Sequence, residues 1–409
     1  MSEKTAVITG ATGQLGRQCV KAFEGAGWKT VGAGFSRANP PAILKVDLGN
    51  TGEVAEMLEE MKHAEGGGSL WECPPYRIYL YGVRLIHRPR ELGAAERFPD
   101  KCNADPEGVK RLNVQASNSL AQECANRDIV LIYISTDYVF DGKPGAAPYE
   151  AHAATNPPNF YGETKLAGEQ AVLRTWKKSV VFRVPVLYGE VEENKESAIN
   201  VLLDTVWNKA GKDRVEMDHW SVRYPTYDDD ATTESKSLEF QMGGAITELS
   251  HRNTSDVARV LKDVAERYTS ADDIDSLPKV LQLSSEDRMT KYEICQKLSE
   301  IAGLSINHIV GNDKNDPNAS VVRPYDCHLS TKALKDLGIS VDTVPFDVWW
   351  CAYSFSPDRP IVITRSDNVT ITGSVTCALL SIESSQREAR GAFRRVGDYI
   401  WSSPYRELK

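Results

Sequence analysis

Thr5-Ala6-Val7-Ile8-Thr9-Gly10-Ala11-Thr12-Gly13-Gln14-Leu15-Gly16 is the stretch that decides the fold. Its first five residues form a short, apolar, β-branched run, which suits a buried strand. Glycines then recur at every third position, and Leu15 to Ala26 has helical spacing, so the segment predicts a strand, a tight turn and a helix. At such a junction Gly10 permits the turn, Gly13 lets backbone approach a pyrophosphate, and Gly16 allows close packing of helix on strand. Thr12, Gln14 and Leu15 occupy the same turn, where the unpaired amides at the helix opening present partial positive charge to an anion. A dinucleotide site is therefore expected here.

Outward from this turn the pattern repeats. Thr30 to Phe35 and Ile43 to Leu48 are β-like, Glu53 to Lys62 and Val109 to Ala125 are helical, and Ile129 to Ser135 is an almost wholly apolar strand. A helix over Gly162 to Trp176 and a strand over Val180 to Val184 follow. Alternation of this kind predicts an α/β fold with a doubly wound parallel sheet over residues 1–185, covered on both faces. Residues 186–350 are expected to form a smaller C-terminal α/β domain that partly returns to the sheet. Its helices cover Ala198 to Lys209, Asp256 to Tyr268, a segment opening at Thr290 with a capping-box spacing to Glu293, and Thr331 to Leu337 between Ser330 and Gly338. A strand is expected over Val280 to Leu283. Two stretches, about 64–93 and 228–253, read as insertions, and 351–409 as a tail without a folding pattern.

Composition sets outer limits. With 409 residues, 41% hydrophobic, the chain can bury a sizeable core, and its net charge of −9 argues against nucleic acid or an anionic membrane as partner. No window approaches the roughly 18 apolar residues of a membrane span, and residues 1–4 lead into a strand rather than a signal sequence, so a cytoplasmic location is expected. The eight cysteines include no C-x-x-C pair, so they are expected to be reduced thiols, with no metal site.

Three further groups carry chemistry. Where an acidic residue would hold an unsubstituted ribose, Ser36 and Arg37 stand at the end of the second strand. A hydroxyl and a guanidinium suit a 2′-phosphate, which favours NADP over NAD, with a solvated loop cation as the alternative for Arg37. Asp47 closes the third strand and suits either the adenine amino group or the following turn. Ser135 and Thr136 end the apolar strand, and Tyr161 and Lys165 stand at i and i+4 on a helix. A neighbouring ammonium would pull a phenol pKa down, making Tyr161 an acid for carbonyl reduction while Ser135 or Thr136 orients the carbonyl. His219 and Trp220 are expected to pack, with a place facing the substrate pocket as the alternative; Trp349 and Trp350 are expected to anchor the C-terminal region, and Asp228-Asp229-Asp230 to form a solvated loop rather than a cation site.

The motifs TGATGQLG, STDYVFDG (Ser135 to Gly142) and NFYGETKLAGE (Asn159 to Glu169) resemble the extended short-chain dehydrogenase/reductase superfamily, in its dTDP-4-dehydrorhamnose reductase branch. AAERFPD (Ala94 to Asp100), LYGEVE (Leu187 to Glu192) and MDHWSVRYPT (Met217 to Thr226) are more similar to the regulatory beta subunits of methionine adenosyltransferase. The resemblance implies an NADP-binding Rossmann domain and a role in S-adenosylmethionine synthesis through the catalytic methionine adenosyltransferase subunit as partner. It places the cofactor turn on Gly10, Gly13 and Gly16, the phosphate-side residues on Ser36 and Arg37, and the adenine neighbour on Asp47. The acid and its helper fall on Tyr161 and Lys165, with the hydroxyl on Ser135 or Thr136. The alternative it implies is an NADPH-dependent reductase of a nucleotide-linked 4-keto sugar. Against that alternative, Glu96-Arg97-Phe98 replace the reductase branch's Ala-Tyr-Thr, altering the sugar pocket.

Overall fold

The computed structural model describes residues 4–60, 77–81, 102, 105–208, 214–228, 241–242, 245–246, 256–314, 321–354, 363–364 and 370–371. They belong to two compact units, residues 1–296 with 305–344, and residues 297–304 with 345–409.

In the first unit, β1 (Thr5–Thr9) leads through the glycine turn into helix α1 (Gln14–Gly25), and β2 (Lys29–Gly34) and β3 (Ile43–Lys45) follow before helix α2 (Thr51–Glu60). Then come β4 (Arg77–Tyr81), β5 (Val130–Thr136) and β6 (Ser179–Val184), and much later β13 (Val280–Gln282). These seven strands form one parallel sheet in the order β13-β6-β5-β4-β1-β2-β3. The order reverses direction between β1 and β4, so the turn after β1 opens at the topological switch point, where such sheets bind ligands.

Period-two alternation sends neighbouring residues to opposite cores. From β5, Val130, Ile132 and Ile134 join Ala6, Ile8, Phe23 and Trp28 on one face. Leu131 and Tyr133 join Val7, Leu58 and Val181 on the other. All seven residues of β5 are buried, which is why the strand reads as a continuous apolar run. The helix Asp256–Thr269 lays Val257, Val260, Leu261 and Val264 into the first of these cores.

Between β4 and β5 the helix Pro106–Lys110 passes through a π-helical turn, Arg111–Ala116, into the helix Ser117–Asn126. After β6 come short pairs: β7 (Leu187–Tyr188) with β10 (Thr226–Tyr227) and β8 (Val215–Asp218) with β15 (Ile309–Asn312), both parallel. Two more are antiparallel, β9 (Val222–Arg223) with β14 (Met289–Thr290) and β11 (Gln241–Met242) with β12 (Ala245–Ile246). The capping box forms: the Thr290 amide donates to Glu293 Oε2 at 2.7 Å, and the Glu293 amide to Thr290 Oγ1 at 3.2 Å. The helix Lys332–Asp336 starts after Thr331, which makes no side-chain cap, while the Lys332 amide donates to Ser330 Oγ at 3.4 Å; Gly338, past its C-cap Leu337, has a φ of +75° that no other residue adopts easily.

Three expectations need correcting. The stretch 64–93, read as an insertion around a strand-like run at Ile78 to Ile86, contains β4, a central strand whose Ile78 and Leu80 are buried. Asp228, read as part of a solvated loop, is fully buried behind β10. Cys19, Cys102, Cys124, Cys295 and Cys327 are free thiols, but Cys351 is disulfide-bonded. The rest of 64–93, Glu96 to Phe98, Asp229, Asp230 and most of the tail lie outside the described residues. In the second unit the helix Phe346–Ser354 gathers its own aromatic cluster, with Trp350 buried and Trp349 stacked on Tyr353 at 4.5 Å.

Candidate functional site

The turn after β1 is built on close backbone contact. Gly10 has φ +66°, and its carbonyl accepts from the Gly13 amide at 2.8 Å. A Cβ on Gly16 would lie 2.1 Å from the Gly10 oxygen, so helix α1 can approach β1 this closely only with glycine there. Gly13 is the N-cap of α1, and no side-chain hydrogen bond caps this helix opening. Gln14 and Leu15 are buried beside it. The Thr12 hydroxyl is buried without a hydrogen bond, and so is that of Ser135 at the end of β5. Orphaned hydroxyls at a switch point and a helix opening without a side-chain cap fit a dinucleotide.

Arg37 is not a free loop cation. It donates to the Thr12 carbonyl, to Glu192 Oε2 at 2.6 Å and to the buried Glu196. Arg17 donates to the same Thr12 carbonyl at 2.7 Å and to Glu196 Oε2 at 2.8 Å. Burial pushes the Glu196 carboxyl up, but the two guanidiniums outweigh it and hold the group below its ordinary range. Ser36 is exposed next to Arg37. Asp47 spends one carboxylate oxygen on its own turn, accepting from the Gly49 amide at 2.8 Å, which is the capping alternative.

The second constellation comes together around the end of β5. Asn159 caps the helix Phe160–Thr175, accepting from the Gly162 amide at 3.0 Å, and so sets where Tyr161 and Lys165 emerge. The buried Arg183 of β6 holds this helix to the sheet by a two-pronged pair with Glu169, at 2.9 and 2.7 Å. Lys165 Nζ, itself buried, donates to the Ile134 carbonyl at 2.7 Å and sits 4.3 Å from the centre of the Tyr133 ring. Burial lowers its pKa to about 8. Burial also raises the Tyr161 phenol; the Thr136 hydroxyl, hydrogen-bonded to it, offsets part of this, while Cys102, Asp137 and Tyr138 add to it. The phenol is thus driven opposite to the direction an adjacent ammonium was expected to give. Thr136 Oγ1 in turn donates to Asp137 Oδ1 at 2.8 Å, and burial lifts Asp137 to about 6 against the pull of Thr136 and Arg223.

Sequence reasoning missed three contributors. Arg17 and Glu196 belong to the ion cluster. Asn113 in the π-helical turn donates to Thr164 Oγ1 at 3.0 Å while its own side-chain oxygen is buried without a partner. A π-helical turn often marks a functional position, but nothing in the local sequence announces one. Nearby, Asn159 Nδ2 donates to the Val322 carbonyl at 2.9 Å, next to Arg323, which lines a cavity of about 320 Å³ with Asp218, Trp220, Lys291 and Lys314. Of the two residues for which a place at a pocket was the alternative to packing, Trp220 lines this cavity, whereas His219 packs 5.0 Å from Tyr292 and bonds Thr290 Oγ1. Among the described residues no acidic, histidine and cysteine group could hold a metal ion, and no helix is long and apolar enough to cross a membrane.

Comparison with known proteins places this geometry. A family model described as the RmlD substrate binding domain matches residues 92–238. Among solved structures, dTDP-4-dehydrorhamnose reductase from Bacillus anthracis in complex with NADP aligns with TM-score 0.59 at 18% identity, covering 85% of this chain and 96% of that one. UDP-glucose 4-epimerase from Thermus thermophilus in complex with NAD gives TM-score 0.59 at 14% identity, over 85% and 96%. These two share the fold. Methionine adenosyltransferase 2 subunit beta from Danio rerio is 34% identical over 83% of this chain and 87% of its own length, and that from Xenopus tropicalis 34% over 84% and 85%. Identity at that level over most of both chains shows that this chain belongs to the methionine adenosyltransferase 2 subunit beta family, within the extended short-chain dehydrogenase/reductase fold.

Proposed function

We propose that this chain is an NADP-binding regulatory subunit of methionine adenosyltransferase, which binds the catalytic subunit in the cytoplasm and supports S-adenosylmethionine synthesis. Membership of the beta subunit family supports the partner. The orphaned Thr12 hydroxyl and the uncapped helix α1 support the dinucleotide, and Arg37 beside them supports its 2′-phosphorylated form. The observation that favours regulation over sugar reduction is the hydrogen bond of Lys165 to the Ile134 carbonyl, with the phenol of Tyr161 raised by burial. A proton donor driven to higher pKa transfers its proton poorly at neutral pH. When bound, NADPH would supply a hydride; the proton would have to come from Tyr161, with Lys165 Nζ held by the Ile134 carbonyl. In the proposed role Gly10, Thr12, Gly13, Gln14, Leu15, Gly16, Ser36, Arg37 and Asp47 bind and orient the dinucleotide, and Ser135, Thr136, Tyr161 and Lys165 line its other end.

Two assays decide it. The rate of S-adenosylmethionine formation by the catalytic subunit should change when this chain is added, and NADPH should not be consumed with a 4-keto sugar nucleotide. An unchanged rate, together with NADPH oxidation that vanishes in Tyr161→Phe, would establish the reductase instead.

A further inference from the structure

Two guanidiniums and two carboxylates meet beside the phosphate turn, and they are not equivalent. Glu196 is enclosed, its side chain 1% exposed, and it bridges Arg17 and Arg37. Glu192 is 60% exposed, lies 2.6 Å from Arg37 and only 3.6 Å from Arg17. Both arginines are pinned to the Thr12 carbonyl, in the turn itself. The cluster is neutral as it stands: two positive charges against two negative.

We infer that Glu192 is the residue that sets discrimination between the 2′-phosphorylated and the unphosphorylated dinucleotide, because its exposed carboxylate shares Arg37 Nη1 with Glu196 and neutralises the guanidinium charge that a 2′-phosphate requires. The inference rests on the NADP proposal above. A phosphate needs net positive charge and open guanidinium donors, so one carboxylate has to yield. Glu196 cannot: withdrawing it would strand two partly buried cations and a buried carboxylate. Glu192 can, since an exposed pair is worth little and its carboxylate regains water on release. An unphosphorylated ribose makes no demand on Arg37, so its binding is indifferent to Glu192. The exchange therefore weakens binding of the phosphorylated form alone.

Isothermal titration of the full chain with NADP and, separately, NAD tests this, comparing the wild type with Glu192→Gln and Glu192→Ala. Both variants should bind NADP about two- to fivefold more tightly, the range set by the strength of an exposed ion pair, with NAD affinity unchanged. The ligand-free melting temperature shows whether each variant is folded, and the 60% exposure of Glu192 predicts that it is. If NADP binds the wild type but the ratio of the two affinities is the same in the folded variants, Glu192 is not the discriminator and the NADP proposal stands. If neither nucleotide gives heat with the wild type, the NADP proposal fails and this inference with it.

Discussion

Lys165 Nζ lies 2.7 Å from the carbonyl oxygen of Ile134, so the ammonium that the sequence assigns to the Tyr161 phenol is bound to the backbone of β5. The consequence is electrostatic. A buried ammonium with its pKa lowered to about 8, against an ordinary value near 10.5, binds fewer protons in the folded than in the unfolded chain between those limits. Stability contributed by this site therefore rises with pH across that window.

Lys165→Met removes the titration. The melting temperature of the variant minus that of the wild type should fall as pH is raised from 8 to 10, because only the wild type gains. A pH-independent difference would mean that Lys165 is not strained by burial in this way.

Asp256 titrates with the same sign of argument and the opposite group. Burial raises its carboxyl to about 7, although the Val344 amide donates to it at 2.7 Å. The folded chain then binds more protons than the unfolded chain between about pH 4 and 7, so this group's contribution to stability falls as pH rises through that interval. Asp256→Asn keeps an acceptor for the Val344 amide without the charge. It should melt above the wild type at pH 8 and close to it at pH 4.5, by circular dichroism. A variant that melts below the wild type at pH 8 would contradict the assignment.

Gly16→Ala tests the turn. The added methyl meets the Gly10 carbonyl at 2.1 Å, so backbone has to shift where the dinucleotide phosphates are proposed to bind. The expected cost is about 1–3 kcal/mol of stability and at least a tenfold loss of NADP affinity, read by chemical denaturation and titration.

Glu169→Ala should be the most damaging of these changes. Arg183 is 4% exposed and its two-pronged partner would vanish, leaving the cation with the Ala151 carbonyl, Gln282 and the Phe140 ring but no carboxylate. Breaking such a pair costs about 3–5 kcal/mol. Denaturation midpoints check this, and a cost below 1 kcal/mol would show that water or another acceptor reaches Arg183.

What could be read in the sequence was local. The turn from Thr9 to Gly16 announces itself because glycine spacing, strand and helix are contiguous, and β5 because a strand covered on both faces has no polar alternation. The capping box at Thr290 and Glu293 is likewise a three-residue relationship. The ion cluster was invisible because Glu196 reaches Arg37 across 159 positions. Arg37 was found by residue type, but its partners were not. The phenol's shift depends on how deeply Tyr161 is buried, which no spacing of Tyr and Lys encodes. The run from Ile78 is strand-like in the sequence, but nothing local says that it pairs between β1 and β5, so it falls inside a stretch read as an insertion.

The regulatory account is tested most directly by sedimentation velocity of the full chain mixed with the catalytic subunit of methionine adenosyltransferase at micromolar concentration. It predicts a faster-sedimenting boundary containing both chains, which saturates as this chain is added. Two independent boundaries at every ratio, with this chain folded, would contradict it.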